Sequence, residues 1–524
     1  MKTKFTVPHS KHLLVCLFLF LMGSVSCAQK VPQASTGGIT STAPAVPVLK
    51  GMETNPLLRV TVYVPAGPEV AYEQITARLN ATALKDLEKL EVFFTGNEPL
   101  FSSKNPVASL SPSTATFQVP VQLRLKPGKN YLWFSAKLKE SANPDHLVEL
   151  HATHLTKAGG QKQPVLEDNS VYAKRIGVAL RKAGDQGVDT YRIPGIVTTK
   201  KGTLLAVYDI RYDHSRDLPA NIDVGLNRST DGGKTWEPMK IIMDMGEPHK
   251  NNGIGDPAIL YDPKTDKIWV AALWSKGNKS IAGSKPGLSP DETGQFVLVS
   301  SNDDGLTWSA PQSITDQVKN PAWNLYFNGP GNGIAMQNGK LVFPSQYWDE
   351  KGMPHSAIIY SDDHGTTWKS GIGAKSNTTE SQVVETTPGT LMLNMRDNRG
   401  QYRSVATTTD MGKTWVEHHT SYSALQDPVC MASLIKANVK TKNGKKDVLF
   451  FSNPNTLNSR TNITLKASLD LGETWQPANQ LLLDERSGFG YSALTKVDDE
   501  TIGILYEGVK DLYFVRIPVR DIIK

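Results

Sequence analysis

The chain has 524 residues, 39% hydrophobic and 21% charged, which is long enough for two or more domains and too apolar for wholesale disorder. Its formal net charge of +6 loses three units if residues 1 to 26 are removed, because these carry Lys2, Lys4 and Lys11 and no acid. So mild a balance excludes a polybasic nucleic-acid or membrane-surface protein, and only three cysteines (Cys16, Cys27 and Cys430) exclude a disulfide-stapled scaffold.

The three lysines precede "LLVCLFLFLMG", Leu13 to Gly23, which is short for a bilayer span but has the length of a signal-peptide core. Residues 1–27 are therefore expected to be a signal peptide, and the chain to be exported. The run ends in "SVSCAQK", where two processing schemes fit. Cys27 is acylated as the first residue of a lipoprotein, or cleavage after Ala28 releases a soluble form. The first scheme places the protein at the periplasm, outer membrane or cell surface, with Cys27 its one membrane attachment; the second has it secreted.

Residues 28–51 are rich in Ala, Ser, Thr, Gly and Pro without hydrophobic periodicity, as a flexible tether is. Residues 52–157 contain "LRVTVYVP", "KLEVFFTG", "TATFQVPVQLRL" and "NYLWFSAKL", whose alternation predicts half-buried antiparallel strands and a small β-sandwich. The turn-rich stretch "TKAGGQKQPVLEDN" separates this domain from the rest.

From residue 170 to 524 strand-like runs recur without a long amphipathic helix, among them "GTLLAVYDI", "KIWVAALW", "TLMLNMRD", "DVLFFSN" and "TIGILYEG". One phrase returns five times: "STDGGKTW" (Ser229 to Trp236), "SNDDGLTW", "SDDHGTTW", "TTDMGKTW" and "SLDLGETW". Its aspartates, at 231, 303, 363, 410 and 470, are spaced by 72, 60, 47 and 60 residues, as one four-stranded unit plus insertions would be. Such a repeat predicts a β-propeller. Each phrase follows an apolar strand and so forms a hairpin turn. Asp accepts turn amides, Gly takes the positive-φ position and Trp packs back on the sheet. Five equivalent acids cannot all attend one site, so these aspartates are structural.

These phrases resemble the Asp boxes of sialidases. With "YRIP" (Tyr191 to Pro194) ahead of the first of them, the chain from about 175 to 524 resembles a bacterial exo-α-sialidase (neuraminidase) of glycoside hydrolase family 33, a BNR-repeat protein. The resemblance implies an all-β protein, a six-bladed β-propeller preceded by the small β-sandwich, with the active site on the propeller axis. Its substrates would be sialylated glycoconjugates, hydrolysed with retention of configuration, with no cofactor and no metal. The histidines show no HxxxH spacing and are assigned structural roles.

A sialoside carries a carboxylate on the carbon that is attacked, which calls for arginines, whose rigid fork matches a carboxylate. The resemblance assigns three: Arg192 in "YRIP", Arg396 in "LNMRDN" and Arg460 in "NSRTNIT", with Arg399 and Arg403 as rivals for the second role. A carboxylate nucleophile would be repelled by that substrate, and sialidases use tyrosine instead. Tyr491 in "GFGYSALT" matches it. Its base matches Glu380, the first acid of E-x-Q-x-x-E in "TTESQVVE", while Glu385 is structural. In "YDIRYDHSRDLPANIDVG" the match puts Arg211 at the edge of the substrate carboxylate and makes Asp217 the general acid, with Asp213 its rival. Asp256 resembles the residue at the substrate's amide or O4, and Glu507 the acid that orients Arg192; a turn or cap role fits either equally. Trp274 lines the N-acyl pocket or simply packs a strand.

Two other functions compete: a sialic-acid-binding propeller without turnover, which would keep the arginines but have no use for an activated Tyr491, and a trans-sialidase, which uses the same constellation. The amino-terminal sandwich is a carbohydrate binder or a rigid spacer.

Overall fold

The computed structural model describes residues 38–524. The expected signal peptide and Cys27 lie outside the described residues. The protein is all-β, with an amino-terminal β domain followed by a propeller-like ring; among the described residues the α-helices are Ala81–Asp86, Thr315–Val318 and Val519–Ile522.

The amino-terminal domain is larger than its alternating strands indicate. Asn55–Val64, Gly128–Leu138 and Leu87–Gly96 pair side by side, as do Thr116–Leu125, Val70–Leu79 and Leu147–Lys157. Their inward residues, such as Val60, Val62, Phe134, Ile75 and Leu155, form one core. The described part of the expected tether 28–51 is ordered sheet. Ile39–Thr42 pairs with Lys162–Glu167 and with Asn55–Val64, and Val48–Lys50 pairs with Ala173–Arg181. Lys162–Glu167 is also a strand, within the stretch read as turn-rich. Prolines interrupt the alternation of "APAVPVLK", yet Val48 and Leu49 are fully buried, because their partners lie more than a hundred residues away.

In the ring, five sheets built on antiparallel strands follow in chain order, the second also pairing in parallel with Gly331–Asn332. The first holds Thr190–Thr198, Leu204–Arg211, Ile222–Ser229 and Lys240–Met243, and the others begin at Ile254, Leu325, Thr378 and Ser433. Ser492–Asp498, Thr501–Glu507 and Leu512–Pro518 follow, and Ala173–Arg181 pairs with the last of these, so the start of the ring is hydrogen-bonded to its end. Alternate side chains of one strand serve two cores. Leu205 and Val207 pack toward the sheet of Ile254, whereas Leu204 and Ala206 pack toward Leu505 and Phe514. This period of two explains why the strands are apolar nearly throughout: both faces are covered.

The five repeated phrases join third to fourth strands. In the first, Ser229 Oγ donates to Asp231 at 2.9 Å, and Thr235 donates to it through N–H at 3.0 Å and through Oγ1 at 2.6 Å. The frame glycine Gly233 has φ 85°, and the residue before each frame glycine is left-handed too, even Leu471 at 58°. Trp236 meets Phe514 edge-on at 5.0 Å. These aspartates are turn-builders at the end of the strands opposite the site described next.

Candidate active site

The site residues come from two places in each sheet: the start of the innermost strand and the end of the second. Antiparallel pairing makes these ends neighbours, as Arg192 opposite Asp209 shows. The innermost strands break register there, between Arg192 and Gly195, Gly255 and Ala258, and Thr378 and Ser381. A bulge re-aims a side chain that a regular strand would point into an intersheet core. Arg192, Asp256 and Glu380 sit on these three bulges. Ile193 and Asp256 have φ of 55° and 58°, a conformation that a β-branched isoleucine resists and that surrounding contacts must enforce.

Tyr491 lies at the centre, 5% exposed, against Ile193, Cys430 and Met431. Its hydroxyl donates to Glu380 Oε1 at 2.5 Å and accepts from Arg396 Nη1 at 2.9 Å, while the same Nη1 donates to Glu380 Oε2 at 2.6 Å. Burial, with the Glu380 charge beside it, holds the phenol well above its ordinary range, so it is protonated at rest. Arg192 and Arg460 lie 5.4 and 5.7 Å from the centre of the Tyr491 ring. The three expected arginines therefore converge on one tyrosine.

Glu507 ties the centre together. Its Oε1 accepts from Arg192 Nε at 3.1 Å and Ile193 N at 2.9 Å, and its Oε2 accepts from Tyr491 N at 2.9 Å. Arg460 donates to the carbonyls of Phe489 and Val429 at 2.9 and 3.2 Å. Phe489 also stacks under Arg192 at 4.3 Å, fixing the guanidinium from below.

The rivals separate by position. Arg403 is fully buried, donating to Asn394 and Cys430 O, and Arg399 pairs with Asp397 beside it. Glu385 accepts the N–H groups of Gln337 and Gly389, a structural use. Asp213 and Asp217 are both exposed on this loop, but only Asp217 accepts, from Arg211 at 2.7 Å and Arg192 at 3.3 Å. Desolvation by the protein around it would raise the Asp217 carboxyl, but these two guanidiniums outweigh it and hold it below the usual range. Trp274 packs in an intersheet core and donates to Asn252 at 3.0 Å.

Arg211, expected at the edge of the substrate carboxylate, lies buried against Asp209 and the Asp217 loop. It is 1% exposed, with Nε and Nη2 on Asp209 at 3.1 and 2.9 Å and Nη1 on Ser215 O and Asp217. Its donors are committed to shaping the Asp217 loop. Asp209, which the resemblance did not assign, is the acid that holds it and also accepts Asp256 N–H at 2.8 Å. The signal was present in "YDIRYD", since residues two apart on a strand share a face. Asp256 points no hydrogen bond of its carboxyl at any described residue, and burial together with Asp209 and Asp217 holds that carboxyl well above the usual range.

Comparison with known proteins agrees with this geometry. Residues 202–505 match the BNR repeat-like domain, and residues 36–161 match the N-terminal domain of BNR-repeat neuraminidase. The chain is 50% identical over 410 residues to a sialidase of Bacteroides fragilis, covering 76% of this chain and 75% of that one. It is 31% identical to a sialidase of Paraclostridium sordellii, over 60% of this chain and 81% of the other. Among solved structures it resembles the Hadza microbial sialidase Hz136, with a TM-score of 0.86, 41% identity, and coverage of 92% of this chain and 100% of that chain. The chain belongs to the BNR-repeat sialidase family.

Proposed function

We propose that this chain is an exo-α-sialidase that removes terminal sialic acids from glycoconjugates with retention of configuration. One observation carries the proposal: a buried tyrosine hydroxyl hydrogen-bonded to a carboxylate and ringed by three arginines. A lectin has use for the arginines but none for Tyr491 paired with Glu380.

The steps follow from the geometry. The substrate carboxylate docks on Arg192, Arg396 and Arg460, which cannot lose their charge. Glu380 takes the phenol proton as Tyr491 Oη attacks the anomeric carbon and Asp217 gives its proton to the departing glycosidic oxygen. Water, deprotonated by Asp217, then attacks the tyrosyl–sugar bond; sialic acid leaves and Tyr491 recovers its proton from Glu380. Asp217 starts paired with Arg211 and Arg192. The arriving carboxylate competes for Arg192, weakening the hold that keeps Asp217 ionised and raising its affinity for the proton it must deliver. Asp256, held toward its protonated form, is placed to donate to the substrate's polar substituents, and Arg211 and Asp209 position the Asp217 loop.

We read the ring as six blades. Five separate sheets support this, with Ala173–Arg181 completing Ser492–Pro518 as a sixth, and so does an apolar core between each consecutive pair. We also assign the protein to the exported fraction; the signal-like segment before Cys27 supports this, with Cys27 as a lipid-anchor candidate.

The test is release of sialic acid from a fluorogenic α-sialoside by the wild-type chain and by Tyr491→Phe. Strong release that collapses in the variant is expected. Binding without release by folded wild type would establish the lectin instead, and transfer to an added acceptor in place of water would establish a trans-sialidase.

A further inference from the structure

A polar cavity of about 270 Å³ opens between the two-stranded ribbon of Gln401–Tyr402 and Gln426–Asp427 and the outer part of the sheet that begins at Ser433; its walls include Tyr402, Gln426, Asn455, Lys466, Trp475 and Gln480. It lies outside the catalytic constellation. Lys466, on Ile463–Ser468, is only 8% exposed, and among the described residues its ammonium has no hydrogen bond and no carboxylate within 4.0 Å. The Phe451 ring lies 5.9 Å from Nζ. Asp427, the acid that acts on it from a distance, is committed elsewhere. It accepts from Cys430 N at 2.8 Å and Asn453 at 3.0 Å and faces Arg403 at 3.7 Å. Burial consequently pushes the Lys466 ammonium down to about 8.

The Lys466 stem is buried while its ammonium opens into this cavity, and a largely desolvated cation with no protein counter-charge favours an anion beside it. The rest of the wall indicates what that is. Gln426 Nε2 donates to Asn455 O and Oδ1 at 2.8 and 2.9 Å, which leaves the Asn455 Nδ2 amide, the Gln480 amide and the Tyr402 hydroxyl without protein partners among the described residues. Trp475 adds an aromatic ring, held edge-to-face against Phe451 at 5.8 Å. One ammonium with neutral amides and no arginine balances one negative charge and several hydroxyls. A phosphate, at about −1.5 to −2, would be left under-compensated. A flat apolar ring beside amides is the surface a sugar ring packs on.

We infer that this cleft is a second, non-catalytic binding site for one carboxylate-bearing sugar, with Lys466 facing the carboxylate and Gln480, Asn455 and Tyr402 facing hydroxyls. The inference goes beyond the proposed hydrolysis and does not need it. The site also adjoins the catalytic one in sequence: Asn455 opens the segment that carries Arg460, and Gln426 precedes Asp427, which fixes Cys430 beneath Tyr491. An occupant held by Asn455 therefore leans on the loop of the third arginine.

Ligand-observed NMR titration of the full chain carrying Arg192→Met, which cripples the catalytic carboxylate site, tests the inference. N-acetylneuraminic acid, glucuronic acid and the methyl ester of N-acetylneuraminic acid are the probes. At least one acid is expected to bind, its uncharged ester at least about tenfold more weakly, as loss of a charge-assisted contact requires. Adding Lys466→Met should weaken the acid by a similar factor. Gln480→Glu, an exposed change that sets a like charge at the cleft mouth, should do the same without touching the core. Preference for N-acetylneuraminic acid names the enzyme's own product as the source, and preference for glucuronic acid a uronic acid of the glycan. Absence of binding by both acids, or binding that ignores Lys466→Met and Gln480→Glu, overturns the site. In the wild-type background Lys466→Met should still release sialic acid from the fluorogenic sialoside, so failure here stays distinct from failure of the hydrolase reading.

Discussion

Tyr491 gives its hydroxyl proton to a hydrogen bond with Glu380, 111 residues away in sequence, at 2.5 Å, and Arg396 spans both partners. A phenol near 10 in water is a poor nucleophile at neutral pH, and burial raises it further. The carboxylate must take its proton during attack. Tyr491→Phe should therefore lower sialoside turnover, and Glu380→Gln should lower it by about 10²–10⁴-fold, the range of positioned acid–base catalysis. The double variant should lose little more than the worse single one, because the pair acts as a unit. Multiplying losses in steady-state assays would break the pairing.

Asp217 predicts a separation of pH profiles. A general acid must be protonated, so activity falls as pH rises through its pKa. Arg211 and Arg192 hold the carboxyl down in the free chain, and the substrate carboxylate then competes for Arg192. The alkaline limb of kcat should lie at higher pH than that of kcat/KM, since the first reports the complex and the second the free enzyme. Coincident limbs would show that substrate leaves Asp217 untouched. Asp217→Asn should cost about 10²-fold or more on a sialyl-lactose substrate and far less on an aryl sialoside, whose leaving group needs no proton.

Glu507 anchors Arg192 from a position 2% exposed. Breaking a buried ion pair from one side leaves an uncompensated charge and costs about 3–5 kcal/mol. Glu507→Gln should lower the thermal midpoint and raise KM more than it lowers kcat, as a positioning role demands. An unchanged midpoint with a lower kcat alone would instead mean that Glu507 acts on the reacting atoms.

The turn aspartates set acid stability. The Thr307 hydroxyl leads in holding Asp303 down to about 2, and the Thr414 amide and hydroxyl do the same for Asp410. In the unfolded chain such groups titrate near about 3.9. A depressed carboxyl stabilises the fold above its unfolded value and ceases to do so as pH falls through the folded one. The thermal midpoint should drop between about pH 4 and pH 2, and Asp303→Asn should lower it at pH 7 while flattening that drop. A variant with the same acid slope as wild type would place the sensitivity elsewhere.

What the sequence determined by itself is local. The five Asp-box turns are spelled out because Ser, Asp, Gly and Thr meet each other within eight residues, and strands such as Leu204–Arg211 declare themselves by apolar runs between turns. The residues that meet around Tyr491 were also legible, since each stands in a short motif that resembles the family. Tertiary structure alone decided the rest, where the partners are distant. Ile39–Thr42 and Val48–Lys50 become strands only because Lys162–Glu167 and Ala173–Arg181 offer them edges, and no window of sequence contains both members of such a pair. Arg211 resembles a substrate ligand in its motif, but Asp209 and the Ser215 carbonyl consume its donors once the strand and loop fold together. The bulges that carry Arg192, Asp256 and Glu380 are likewise set by strand pairing, and at the first of them neighbouring inner strands come so close that a Cβ on Gly195 would lie 2.5 Å from Gly331 O.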